Sequence, residues 1–484
     1  MKYINSRLKQ GLFFICFLST ISCSDFLKEE VYTQYDPDVY LQTEEGINSV
    51  LVAAYNNMQL TTNMRDRMNT LNEFPGDIMW DWGGGYEAIA VVFMDFTWDS
   101  QNTMFETPWQ QYYQSIRNAN ALLDNIDNVT SLSPERVSQL KAEAVFIRAA
   151  DYYFLWELFG PVPLITTASE LNFEPVRATR EEFDNFLVSE LELAANNLPV
   201  QQDVWGKATK GAALALLGRY YMNSSQWQKA ADTYKRVMDL NAYKLFDGDL
   251  ANMFAVENEE NEEVILTAPA LPTLKSNNYM PHAFPPNYPL PANWQNFGTQ
   301  FCMYNDWVAT YHPEDLRLGW FLFEYIDTDG QLQNLWDPLS LGRGIRCFKY
   351  QPDPDALATN HGNDVPMIRY AEVLLYRAEA LNELQGPNQE SVDLLNQVRE
   401  RAGVPTYAVS DFDSKEEMRD AILGELGWEF VAEGKRRVDL IRHNKLISRA
   451  HERGATNAKE HMTVYPIPLN EIKANPNLVQ NPGY

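Results

Sequence analysis

Residues 211–240 read "GAALALLGRYYMNSSQWQKAADTYKRVMDL", and this stretch decides the fold. Leu217 and Gly218 are followed by Tyr221, Ala230 and Tyr234. The spacing predicts two helices, over 207–222 and 227–240, joined by a short polar turn. Small residues set among large ones let two antiparallel helices approach closely. That residue order is the order of a helix-pair repeat unit.

The plan recurs more loosely in "YAEVLLYRAEALNELQGPNQESVDLLNQVRERAG", 370–403, with Gly386 in the turn and Ser391 and Leu395 in the second helix. A further unit is offered by 141–159 with 181–197. In "KAEAVFIRAADYYFLWELFG", 141–160, Ala142, Val145, Ala149, Tyr152, Trp156 and Phe159 fall three and four apart on one helical stripe. Ser133 is its expected N-cap, Pro134 its first helical residue, and Gly160-Pro161 its stop. Such pairs bury their faces only by stacking, so the helical part is predicted to be a short tetratricopeptide-like solenoid. Helical periodicity also runs through 44–60, 107–126, 367–385, 390–402 and 415–447. Strand-like pieces are few: "AIAVVFMDFTW" (88–98), "EEVILTAP" (262–269) and "GWFLFEYI" (319–326).

Between the repeats, residues 243–365 change character. Within 279–307 lie eight aromatic residues and five prolines, a composition that excludes a helix and predicts structured loops carrying rings. A second aromatic island, "DIMWDWGGGYEAIAVVFMDFTWDSQN" (77–102), has three glycines, 83–85, that permit a sharp turn. No linker cuts the chain, so one large domain, 41–484, with a long insertion at about 243–365 is expected.

The front of the chain addresses location. Lys2, Arg7 and Lys9 precede "GLFFICFLSTIS", which is too short to span a bilayer, where ~20 apolar residues are needed. It fits a secretory signal. The signal stops at Cys23 behind small residues, as in a bacterial lipoprotein, with Thr20 where an aliphatic residue is usual. Residues 1–22 are therefore read as the signal, Cys23 as the lipidation site, and 23–40 as a tether. Removing 1–22 takes away three basic residues and no acidic ones, moving the formal charge from −27 to −30. So acidic a chain disfavours nucleic acid and polyanionic glycans and leaves neutral ligands or cationic partners. Only Cys302 and Cys347 remain as thiols in the mature chain, too few for a disulfide framework or a zinc site.

Seven further stretches, in order behind the cysteine, carry a resemblance. They are "WQQYYQSIRNANALLDNI" (109–126), "KAEAVFIRAADYYFLWELFGPVPLI" (141–165), "KATKGAALALLGRYYM" (207–222), "VPMIRYAEVLLYRAEALNE" (365–383), "LNQVRERAGV" (395–404), "EFVAEGKRRVDLIR" (429–442) and "YPIPLNEIKANPNLVQNPGY" (465–484). Together they resemble the SusD/RagB family of outer-membrane lipoproteins of Bacteroidetes. One departure is "ILGELGWEF" (422–430), where the family usually has two basic residues after the glutamate; it reads as a helix-surface detail. The resemblance implies a mainly α fold, with about four tetratricopeptide-like helix pairs packed against an irregular, loop-rich region with a few short strands. It implies capture of oligosaccharide or polysaccharide at the cell surface and delivery to a SusC-like TonB-dependent transporter. It implies no catalysis and no cofactor. Peptide capture by a RagB-like member, or a pure protein adaptor, stays open as an alternative.

Sugars offer apolar faces to rings and hydroxyls to Asn, Asp, Gln and Arg. The family site lies on the irregular part, so the ligand-binding candidates are Trp80, Asp81, Trp82, Trp98, Asn102, Trp294, Asn296 and Trp320. Trp80 and Trp82 flank one residue and face the same side if extended. Trp109, Trp156, Trp227 and Trp428 sit on predicted helices and read as core. No zinc motif, nucleophile elbow or phosphate loop is present. "DTDG" at 327–330 lacks the other ligands of a calcium loop and reads as a turn.

Overall fold

The computed structural model describes residues 37–59, 69–169 and 172–484. The signal, Cys23 and the tether up to residue 36 lie outside the described residues. The last four tether residues, Pro37–Tyr40, form a short helical turn.

The main helices are α1 (Glu44–Met58), α2 (Glu87–Met94), α3 (Glu106–Asn125), α4 (Pro134–Phe159), α5 (Arg180–Asn197), α6 (Lys210–Asn223), α7 (Trp227–Asp239), α8 (Tyr370–Gln385), α9 (Gln389–Arg401), α10 (Lys415–Glu429) and α11 (Arg436–Arg442). The helices of the pairs α1/α3, α4/α5, α6/α7 and α8/α9 pack side by side, and α10 closes on α8. The chain is thus mainly helical, as the repeat pattern requires. Local chemistry starts these helices where the sequence says. Ser133 Oγ accepts from the Arg136 N–H and caps α4, Thr209 caps α6, and Thr179 with Glu182 closes a capping box on α5. Gly160 ends α4 at φ 72°. The small residue of the repeat makes room for a ring: a Cβ on Gly218 would lie 2.8 Å from the side chain of Tyr234. Helix α4 is buried on nearly every side, beyond the predicted stripe, because it is the central helix of its layer.

Among the described residues, eight short strands accompany the helices: β1 (Met79–Trp80), β2 (Val264–Ala268), β3 (Cys302–Met303), β4 (Phe321–Leu322), β5 (Glu324–Ile326), β6 (Leu332–Asn334), β7 (Ile345–Cys347) and β8 (Val365–Arg369). They form an antiparallel sheet in the order β1-β3-β7-β4 and two ribbons, β2-β8 and β5-β6. The β2-β8 ribbon joins the entry and exit of the insertion, pairing Val264 with Arg369 and Ala268 with Val365.

Several expectations need correction. Within 279–307, read as free of helix, Tyr279–Ala283 and Asn305–Val308 are short helical turns. Residues 88–98 do not form a strand; Glu87–Met94 is α2, with Ala90 and Phe93 buried three residues apart on one face. A short apolar run cannot separate strand from buried helix by periodicity alone. The 415–447 helix breaks between α10 and α11, where Ala432 and Gly434 take φ 61° and 68°. The predicted helix at 367 begins instead at Tyr370, after β8.

The break lies at a buried ion cluster. Glu425, Glu429 and Glu433, around the end of α10, enter this cluster, which fastens the insertion to the repeats. Arg317 reaches Asp315 at 2.8 Å, Glu425 at 2.7 Å and Glu429 at 3.1 Å. Arg369 reaches Glu429 at 3.0 Å and Glu433 at 2.7 Å, and also pairs with Glu263. Arg401 bridges Glu263 and Glu429, Arg399 holds Glu425, and Lys349 holds Glu433. The segment 422–430 is therefore no surface detail. Leu426 and Gly427 are buried, and a Cβ on Gly427 would sit 2.9 Å from Arg436 Nη1.

Candidate functional site

The sheet β1-β3-β7-β4 carries three loops that meet around one patch: 81–85 after β1, 296–301 before β3, and 336–344 before β7. The Trp82 N–H donates to the Thr299 carbonyl at 3.4 Å, and a Cβ on Gly84 would lie 2.7 Å from Thr299 Oγ1. Gly84, at φ 77°, is what lets the first loop press against the second.

Trp80 is half-buried. Its Nε1–H donates to the Met303 carbonyl at 3.0 Å, and its ring stacks on Tyr304 at 6.1 Å and 22°. Trp82 is also half-buried and lies 4.1 Å under the guanidinium of Arg343. Asp81 Oδ1 accepts from the Gly83 N–H at 3.1 Å, while Oδ2 is buried without a partner. Burial pushes the Asp81 carboxyl up to about 6, helped by nearby Glu87 and opposed by the Gly83 N–H and Arg346. Asn296 donates to the Pro285 carbonyl at 2.7 Å, and its Oδ1 has no partner, nor has Thr299 Oγ1. The structure thus brings together Trp80, Asp81, Trp82 and Asn296 through one pair of apposed loops. Buried His282 stacks on Phe301 at 4.6 Å, and burial lowers its ring to about 4, so it is a neutral support at pH 7.

The other candidates lie elsewhere. Trp98 is buried, stacks on Phe93 at 5.7 Å, and donates to Tyr484 Oη at 2.9 Å. Trp320 is fully buried, donates to the Leu250 carbonyl at 2.6 Å, and lies 4.3 Å from Lys349 Nζ. Neither ring offers a face to a ligand; both correct the expectation of exposed stacking residues. Asn102 is a turn residue, whose Oδ1 accepts from the Met104 N–H at 3.0 Å ahead of α3. Trp294 is half-buried, stacked on Phe284 at 6.1 Å and edge-on to His361 at 5.2 Å, and anchors the loop that carries Asn296. Of the helical tryptophans, Trp109 is buried, and Trp156, Trp227 and Trp428 are half-buried against the core.

Sequence reasoning passed over Trp336 and Arg343. Trp336 is 42% exposed and lies parallel to Phe323 at 5.8 Å and 2°. The signal was a tryptophan in "QNLWDPLSLGRG", outside any periodic segment. Cys302 and Cys347 are buried free thiols on neighbouring strands; Cys302 stands opposite Arg346, which puts Cys347 on the other face. At 327–330, Asp327 accepts from the N–H groups of Asp329 and Gln331 and from Gln333, closing the β5-β6 turn. Among the described residues no group of His, Cys, Asp and Glu could hold a metal ion. No described helix is long and apolar enough to cross a membrane. A separate groove of about 520 Å³ runs between α3, residues 163–168 and 172–175, and the C-terminal segment, past Trp109, Tyr113 and Phe173, and contains no predicted site residue.

Comparison with known proteins agrees with this architecture. Residues 294–484 match the SusD family, and residues 25–222 match a family described as starch-binding associating with outer membrane. The chain belongs to the SusD-like family. It is 26% identical to SusD-like protein P25 of Formosa agariphila across the whole of both chains. It is 26% identical to the starch-binding protein SusD of Bacteroides thetaiotaomicron, over 85% of this chain and 84% of that one. Among solved structures, a laminarin-binding SusD-like protein superposes with TM-score 0.76 at 25% identity, over 91% of this chain and all of that one. A SusD superfamily protein of Parabacteroides distasonis gives 0.78 at 22% identity, over 91% and 99%.

Proposed function

We propose that the protein captures a glycan at the bacterial surface and hands it, unmodified, to a SusC-like TonB-dependent transporter. Cys23 would carry the lipid anchor in the outer membrane, with the acidic stretch behind it as a leash. The observation that carries the reading is the loop patch. Half-buried Trp80 and Trp82 lie with Arg343 and the Asn296 loop at one edge of the short sheet, and exposed Trp336 begins the loop that carries Arg343. Rings supply flat apolar surface for sugar faces, and the amide and guanidinium supply hydroxyl contacts. Trp294 supports the same loop from below. Relatives named for binding starch and laminarin are consistent with this ligand class. The helix pairs leave a second surface for the transporter.

The test uses the full chain in detergent, with affinity gels and calorimetry over a glycan panel and a peptide pool. Saturable glycan binding that is lost in Trp80→Ala and Trp82→Ala, with melting unchanged and no product released, is the expected result. Binding that survives both substitutions and is lost in Phe173→Ala would move the ligand to the groove beside α3. Binding of peptides alone would replace the glycan, and turnover of any ligand would end the non-catalytic reading.

A further inference from the structure

The loop patch carries a charge feature at odds with the chain as a whole. With 66 acidic and 39 basic residues, a surface guanidinium here has carboxylates in excess around it. Arg180, Arg236, Arg449 and Arg453 each have an acidic partner, whereas exposed Arg117 and half-buried Arg136 form no ion pair among the described residues. Exposed Arg343 has none among the described residues, and its guanidinium lies on the indole of Trp82 instead.

The placement is built into the backbone. The Arg343 N–H donates to the Ser340 carbonyl at 3.1 Å, and its own carbonyl accepts from Arg346 at 3.3 Å. Gly344 follows at φ 90°, where a Cβ would lie 3.0 Å from Cys302 Cβ and 3.1 Å from Trp80 Cζ2. Only glycine lets the chain pass this close beneath Trp80 and set Arg343 beside it. The buried carboxylate of the patch, Asp81, forms no ion pair with Arg343; the cation that draws on it, weakly, is Arg346, which also binds the Gly298 and Gly344 carbonyls. Glu87 is the other carboxylate near Asp81; it sits in the first turn of α2, where the helix N-terminus offsets its charge, and forms no ion pair with Arg343. Arg343 is left with its N–H fork available. A planar guanidinium stacked on an aromatic ring keeps its in-plane donors for a carboxylate or sulfate.

We propose, resting on the glycan-capture reading, that Arg343 makes this patch selective for a glycan bearing a ring-attached oxyanion, a carboxylate or a sulfate, whose sugar face lies against the neighbouring tryptophans. The net negative charge of the chain would then weigh against long polyanions by repulsion at a distance, while the local contact favours the anionic residue seated on Trp82.

The full chain in detergent is titrated with two matched pairs of short oligosaccharides: trigalacturonate against its methyl ester, and a singly sulfated isomaltotriose against isomaltotriose. Expected is preference for the charged member of one pair, which identifies carboxylate or sulfate. Arg343→Gln should weaken that binding by about tenfold or more, the loss of a charge-assisted contact, and Arg343→Lys should recover part of it. Arg343→Gln should weaken binding of the charged member several-fold more than binding of its neutral partner, while Trp82→Ala should abolish both. Equal binding of charged and neutral members, or an Arg343→Gln chain indistinguishable from the parent on the charged one, overturns the charge selectivity and leaves the capture site standing. Failure of every glycan, charged and neutral, overturns both.

Discussion

Replacing Glu429 with Gln tests whether the ion cluster fastens the insertion to the repeats. Five carboxylates, Asp315, Glu263, Glu425, Glu429 and Glu433, face five cations, Arg317, Lys349, Arg369, Arg399 and Arg401. Glu429→Gln leaves one buried positive charge without a counterpart. Removing one partner of a buried pair costs ~3–5 kcal/mol. The low end applies, because Arg317 keeps Asp315 and Glu425, Arg369 keeps Glu263 and Glu433, and Arg401 keeps Glu263. At ~2.1 cal/mol/K of unfolding entropy per residue, ~3 kcal/mol in a chain this long lowers Tm by about 3 °C. The pH dependence has a definite sign. Burial disfavours the Glu429 carboxylate, but the surrounding guanidinium groups of Arg401, Arg369 and Arg317 win and hold its pKa well below the usual carboxylate range. Its contribution is therefore complete above the ordinary carboxylate pKa and fades as pH falls below it. Scanning calorimetry should show a constant gap between parent and variant from pH 7 to about pH 5, narrowing below about pH 4. Adding Arg401→Gln should restore part of the loss by restoring neutrality. A Glu429→Gln protein that melts with the parent at pH 7, or a gap that widens on acidification, refutes the account. Exposed Glu400→Gln serves as the surface control.

Gly218→Leu should destabilise by ~1–3 kcal/mol despite a better helix former, because the side chain meets Tyr234; a denaturant midpoint unchanged or raised would contradict the close crossing. Trp98→Ala should cost ~3–5 kcal/mol in a thermal melt while the folded fraction keeps its ligand affinity, separating core from site. Burial pushes the Glu73 carboxyl up to about 8, although it accepts from the Gly434 and Lys435 N–H groups. The folded state then holds a proton the unfolded chain releases, so parental stability should fall as pH rises from about 5 to 8. Glu73→Gln should flatten that fall, and parallel pH profiles for the two proteins would sink the assignment.

The repeats were legible because helix pairs declare themselves locally: a cap, a 3.6-residue stripe, and a small residue where another helix crosses. Ser133, Gly160 and Gly218 each do in space what their letters suggest. The short strands were far less legible. β1, β3 and β4 are two residues long, and their pairing depends on partners up to some two hundred residues away. The candidate site divides along the same line. Trp80, Asp81, Trp82 and Asn296 meet because glycine-bearing loops converge. Trp98 and Trp320, equally aromatic and equally outside the long helices, are drawn into the core by Phe93 and Phe254. Composition marks a ring as valuable without saying which side of the surface it occupies. Arg343 was invisible for a related reason: its meaning lies in the carboxylate it lacks.

The β2-β8 ribbon has a consequence for how such a chain can change. By joining Ala268 to Val365 it brings both ends of the intervening segment to one place on the scaffold. What lies between them then behaves like a replaceable cartridge. Doubling a flexible loop between fixed ends costs only ~0.6 kcal/mol in closure entropy. Insertions, deletions and exchanges of rings in the exposed loops of 269–364 can therefore accumulate with little strain on the solenoid, provided Arg317 and Lys349 keep their places in the ion cluster. The clasp lets the face that meets the outside world drift while the stacked helices stay in register.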